Sequence, residues 1–271
     1  MNRPAPEDIV RRATTAFNAG RRDEARKLCE HGLTAFPGEP MISHLLAAVL
    51  FAAGDIEAAR RHVDTSLAKR PDNAAARLLA ARIARTAGAF DRALSHLDHA
   101  IALSPQREAF IEKARTLDQA GLRPQARQAW GAILDVVADH AEAAARSGRL
   151  AWEDGEFVLA AKLLERAAAQ QEAPQSVWFD LGLARQDLRD RAGALAAYRK
   201  AVELKGDHAE ATFNLGVVLQ ETGNLDEAMR AYAQAYRLRP ESFGKIAMAL
   251  TSASHGGLWL DEAALRSKLE I

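Results

Sequence analysis

The stretch FNLGVVLQETGNLDEAMRAYAQAYRLRP, residues 213–240, holds most of one structural period. Phe213, Leu215, Gly216 and Leu219 recur at helical spacing. Gly223 follows as a helix end, because glycine takes the left-handed conformation at least cost. Asp226-Glu227 then put negative charge in the first turn of a second helix, and Pro240 blocks its continuation. Gly216 in the first helix and Ala228 in the second are small enough for the two backbones to approach closely. Tyr232, four residues after Ala228, fills the space beside them. The stretch predicts two helices joined by a tight turn.

Working outward, the same period recurs along the chain. Ala25, Ala59, Ala93, Ala126, Ala160, Ala194 and Ala228 are separated by 34, 34, 33, 34, 34 and 34 residues. Five residues before six of them stands a glycine (Gly20, Gly54, Gly88, Gly121, Gly155, Gly223), and Arg189 breaks the series. Twelve residues before each alanine is another small residue: Ala13, Ala47, Ala81, Ala114, Gly148, Gly182 and Gly216. Four after each lies a filler: Cys29, Val63, Leu97, Trp130, Leu164, Tyr198 or Tyr232. Pro37, Pro71, Pro105 and Pro240 close four periods, where the others carry Ala138, Glu172 and Gly206. At Arg189 a left-handed residue with a Cβ costs ~1–2 kcal/mol. Gly193 also weakens the helix that follows, so the sixth period is expected to be the softest.

The pattern Trp178-x-x-Leu181-Gly182 … Ala194-x-x-x-Tyr198, with Leu215-Gly216-x-x-Leu219 … Ala228-x-x-x-Tyr232 … Pro240, resembles the tetratricopeptide repeat over residues 6–242. The resemblance implies an all-α fold, a right-handed superhelical α-solenoid of helix-turn-helix repeats. Its seven repeats are 6–39, 40–73, 74–106, 107–140, 141–174, 175–208 and 209–242. Beyond them, 243–271 is expected to be a C-terminal capping segment, because the last repeat of a solenoid exposes an apolar face. Within it Ser242 to about Ser252 reads as helical, and Asp261 reads as the N-cap of a helix over Glu262 to Leu269. A docking element presenting Trp259 stays open as the alternative.

Composition narrows the classes of function. Hydrophobic residues make up 48% and charged residues 27%, as in a folded protein rather than a disordered one. The formal net charge is zero, so neither nucleic acid nor a membrane surface is indicated as partner. No run of ~18 apolar residues offers a membrane span, and the first residues carry no apolar leader. The single cysteine, Cys29, excludes an internal disulfide and suits a reducing compartment, so the cytoplasm is the expected location.

Signs of catalysis or cofactor binding are weak. His96 and His99 lie one helical turn apart, but no third ligand recurs near them, and solvated helix surface accounts for both. Cys29 occupies a packing position, which favours an inert thiol. The glycines serve helix ends rather than phosphates, and first-turn pairs such as Asp23-Glu24 are not catalytic dyads. The expectation is a chain that is not an enzyme and takes neither metal nor cofactor.

Binding residues are sought on the inner face, which in proteins resembling this chain is lined by the first helix of each repeat. One inward position reads Thr14, Ala48, Arg82, Arg115, Arg149, Leu183 and Val217, with Arg85 and Arg146 near the same band. Three residues further along lie Phe17, Phe51 and Trp152. Arginine's planar fork suits carboxylates, so an acidic partner segment or a C-terminal carboxylate is one reading. Pairing of these arginines with Asp118, Glu112 or Glu153 is the other. The best-known carboxylate clamp of the family uses Lys and Asn, and only Asn214 stands at such an asparagine position. The implied role is a scaffold or adaptor holding a partner peptide or helix in the groove; self-association stays open. The alternative is a substrate-recruiting or regulatory subunit for a separate glycosyl- or sulfotransferase, since Asn214-Leu215-Gly216 is similar to repeats attached to sugar transferases.

Overall fold

The structure, a computed structural model, describes residues 5–252 and 262–270; Trp259 and Asp261 lie outside them. Helices alternate as first and second members of successive pairs. They run α1 (Pro6–Asn18), α2 (Arg22–Ala35), α3 (Pro40–Ala52), α4 (Ile56–Lys69), α5 (Ala74–Thr86), α6 (Phe90–Leu103) and α7 (Arg107–Gln119). Then come α8 (Arg123–Val136), α9 (Ala141–Glu153), α10 (Phe157–Ala168), α11 (Gln175–Asp187), α12 (Arg191–Leu204), α13 (Ala209–Glu221) and α14 (Leu225–Leu238). A short 3-10 turn at Pro240–Ser242 leads into α15 (Phe243–Ser252), and α16 (Glu262–Leu269) ends the described chain. No strand occurs among the described residues.

Local chemistry sets these boundaries. Pro6 and Pro40 open α1 and α3, where a missing N–H costs nothing. Side chains of Asp55, Asn73 and Asp190 accept from the backbone N–H three residues on, and the imidazoles of His140 and His208 do the same. The turn after each first helix holds its glycine at φ between 72° and 84°. Arg189 adopts φ 60° in the same turn, and Asp190 N–H still reaches back to Arg185 O at 2.9 Å. Glu172, at φ 62°, is the other left-handed residue with a side chain among the described residues.

The chain packs as two compact units, Met1–Ala129 and Trp130–Ile271, with the boundary inside α8. In the first unit α1 to α7 stack in chain order, each first helix against its own second and the next first. Their shared core runs from Ile9 and Cys29 through Ile42, Leu46 and Val63 to Ile83. In the second unit α9 to α14 stack in chain order, each helix against the next, and α9 also touches α11. Its close approaches depend on glycine: a Cβ at Gly148 would lie 2.7 Å from Leu164 Cγ, and one at Gly216 would lie 2.7 Å from Tyr232 Cδ1. Gly182 meets the ring of Tyr198 in the same way. Both tyrosines are fully buried and donate their hydroxyls at 2.8 Å, Tyr198 to Gln186 and Tyr232 to Gln220.

Beyond Leu238, α15 packs on α13 and α16 on α14. Ile246, Leu250, Leu265 and Leu269 are buried there in one cluster with Leu219 and Tyr232. Arg266 stacks over the Phe243 ring with its guanidinium carbon 3.8 Å from the centroid.

Candidate functional site

Each first helix buries one stripe and leaves another open. On α9, Ala143, Ala144, Ser147, Gly148, Leu150 and Ala151 are buried. Between them Arg146, Arg149, Trp152 and Glu153 keep part or most of their surface. Steps of three and four residues place these four on one open face.

In the first unit the open stripes of α5 and α7 bring three arginines onto one carboxylate. Glu112 is 3% exposed and receives Arg115 at 2.7 Å, Arg85 at 3.2 Å and Arg82 at 3.3 Å. Arg82 also pairs with the exposed Glu108, and Arg85 donates to Gln119 at 3.0 Å. A buried carboxylate is costly unless paired and hydrogen-bonded, and this one is held by guanidiniums from two layers. The arginines therefore orient one another through Glu112 while Arg82 and Arg115 each keep 33% of their side-chain surface.

In the second unit Arg149 bridges Glu153 at 2.9 Å and Asp180 of α11 at 2.6 Å. Its guanidinium lies 4.7 Å from the centroid of the Trp152 ring, and Trp152 Nε1 donates to Asp187 at 2.7 Å. Burial raises the Asp180 carboxyl above its ordinary range, with Arg149 and Arg146 pulling in the opposite direction. Burial lowers the Arg149 guanidinium, but Glu153 and Asp180 outweigh it, and the net shift is upward. The result is a half-buried aromatic plate with a stacked cation, fixed at both ends by carboxylates.

The remaining predicted positions are spread out. Phe17 and Phe51 are half-buried and pack against the core of the first unit. Asn214, on α13, sits 3.5 Å from the Tyr198 hydroxyl. Away from the open face, His96 Nδ1 is 3.4 Å from Arg77, and burial followed by Arg77 holds the imidazole below its ordinary value. His99 bonds back to Ser95 O at 2.8 Å. The Cys29 thiol is fully buried, and burial pushes it up to about 12. No group of three or more metal-ligating side chains occurs among the described residues, and no helix among them is long and apolar enough to cross a membrane.

Sequence reasoning missed Glu108, Asp180 and Asp187 as partners, and it missed a recess beside Arg82. The overlooked signal is the period itself: Arg149–Asp180, Arg85–Gln119 and Trp152–Asp187 pair across 31, 34 and 35 residues. Testing open-face residues against those one period later would have found them.

Comparison with known proteins agrees with the helical pairs. Sequence profiles described as tetratricopeptide repeat match residues 16–83, 111–177 and 179–243, together well over half of the chain. A curated relative, Tetratricopeptide repeat protein 8 of Caenorhabditis elegans, is 27% identical over 84 residues, which are 31% of this chain and 17% of that protein. Among solved structures, Pseudomonas aeruginosa pilF is 16% identical with a TM-score of 0.66, covering 74% of this chain and 92% of its own. YrrB, described as a tetratricopeptide-repeat protein with an unusual peptide-binding site, is 18% identical with a TM-score of 0.57, covering 66% and 93%. At these identities the structures speak for the fold alone. With the ladders of small residues, the paired helices and the matching profiles in agreement, the chain belongs to the tetratricopeptide-repeat family.

Proposed function

We propose that this protein is a non-catalytic interaction scaffold that holds a segment of another protein along the open faces of its first helices. The observation that carries the reading is the Trp152–Arg149 plate. A large aromatic that is fixed in place yet partly exposed is a pre-organised anchor, because a ligand that meets it does not have to order it. The arginines of both units suit an acidic partner segment or a C-terminal carboxylate. Among their present pairs Arg82–Glu108 is partly exposed, and exposed pairs are worth only ~0–1 kcal/mol, so a bidentate ligand carboxylate can take the place of Glu108. A cytoplasmic location belongs to the same reading, given the single unpaired thiol of Cys29. YrrB's peptide site is a precedent on a similar fold.

The test compares partners captured from source extract by wild type, Trp152→Ala, and Arg199→Ala, the last on the second helix α12. A partner lost with Trp152→Ala and kept with Arg199→Ala, at equal circular dichroism, supports the open face. Retention by both variants sinks it.

A further inference from the structure

Beside Arg82 in the first unit, α3, α5, α6 and α7 enclose a recess of about 260 Å³. Building on the scaffold reading, we propose that this recess is a socket for one large apolar side chain of the partner. Arg82 at its rim receives a carboxylate that neighbours that side chain in the partner's sequence.

The size decides the class of occupant. Small-molecule and cofactor sites usually span ~300–1,000 Å³, and this recess falls below that range, which suits an anchoring side chain. Its walls come from Ala48, Ala75, Leu78 and Leu79, with His44 and Arg82 as the polar members that matter most. Ala48 stands at the inward position that carries arginine in the next three repeats, and it is one of several alanines that line the recess.

His44 adds to the apolar character. Its Nδ1 is buried with no hydrogen-bond partner, and burial lowers the imidazole below its ordinary value, so the ring lines the recess in neutral form. Arg82 is then the charged group of the lining, and it repels a cationic occupant. Glu108 and Glu112 hold its guanidinium in place. The Glu108 carboxylate is 49% exposed, so a partner carboxylate can take its place at little cost. The occupant is therefore an extended segment in which Leu, Met or Phe adjoins Asp or Glu.

The probe is a random dodecapeptide display library panned on the full chain, with Ala75→Trp and Arg82→Gln beside wild type. Ala75 is exposed, so tryptophan there fills the socket without entering the core. The expected winners pair Leu, Met or Phe with an adjacent acid. Replacing that apolar residue by Ala in the best peptide should weaken binding to wild type about tenfold. Ala75→Trp should cost a similar factor at an unchanged melting temperature, and Arg82→Gln should erase the preference for the acid. Winners that lack the pair, or that bind Ala75→Trp as tightly as wild type, overturn the socket and leave the scaffold reading standing. A library from which no peptide is enriched overturns both.

Discussion

Arg189 is the position where a single exchange should make the protein more stable. It takes φ 60° in a turn where glycine stands at φ 72° to 84° in six equivalent places, and its side chain is exposed. A Cβ in the left-handed region costs ~1–2 kcal/mol. Against this, glycine gives the unfolded chain extra freedom worth ~0.5–1 kcal/mol. Arg189→Gly should therefore gain ~0.5–1 kcal/mol, and Gly223→Arg should lose a similar amount in the neighbouring turn. At ~2–4 °C per kcal/mol the two variants should melt ~2–8 °C apart by circular dichroism. Amide exchange localises the effect: wild-type residues 185–200 should exchange faster than the helices on either side, and Arg189→Gly should slow them. The reasoning is refuted if Arg189→Gly melts below wild type, or if residues 185–200 already rank among the best protected.

Glu112→Gln should leave Arg82, Arg85 and Arg115 mutually repelling. Removing one partner of a buried pair costs ~3–5 kcal/mol, and the third of Arg82 and Arg115 still in water lowers this to ~1–3 kcal/mol, readable by urea titration. A loss below ~0.5 kcal/mol would mean that Glu112 does not organise the cluster. His44 should make stability fall with acid. Its folded value is depressed, so its contribution is complete above the ordinary imidazole value of 6.5 and is lost as pH falls through the folded value. Melting points taken downward from that pH should drop more shallowly in His44→Leu, with a residual slope from His62 and His96, which shift in the same direction; an unchanged slope argues against burial as the cause. Cys29 should ignore a thiol-exchange reagent in the native state and react fully in denaturant, and rapid native labelling would show that the second helix of the first pair opens easily.

The fold is legible in the sequence because repetition multiplies a weak signal. One glycine after an apolar run means little, but Gly20, Gly54, Gly88, Gly121, Gly155 and Gly223 in register leave no room for another reading. The left-handed backbone at Arg189 follows from the same ladder, since the turn geometry is imposed by its neighbours. The open face is only half legible. Helical periodicity places Arg82, Arg115 and Arg149 at equivalent positions, yet it does not say that Glu112 collects three guanidiniums or that Trp152 is tied to Asp187. Apart from Arg115–Glu112 within one helix, those contacts join residues of successive repeats, and their geometry depends on how one layer rests on the next. The recess at His44 was invisible for a related reason: a hollow is made of side chains that are small or absent, and an alanine among alanines gives no sign of its own.

The fit of Tyr198 onto Gly182 and of Tyr232 onto Gly216 constrains how such a gene can change. Copies of a repeat differ enough that the two helices of a pair are matched to each other, since a Cβ at either glycine would run into the ring. A recombination that joins a first helix of the first four repeats, which carries alanine there, to the second helix of the sixth or seventh would set a tyrosine opposite an alanine. One that breaks between repeats keeps every couple intact. Exchange between the alanine-bearing repeats and the glycine-bearing ones is therefore tolerated only as whole helical pairs, and the two members of a tyrosine couple must be inherited together.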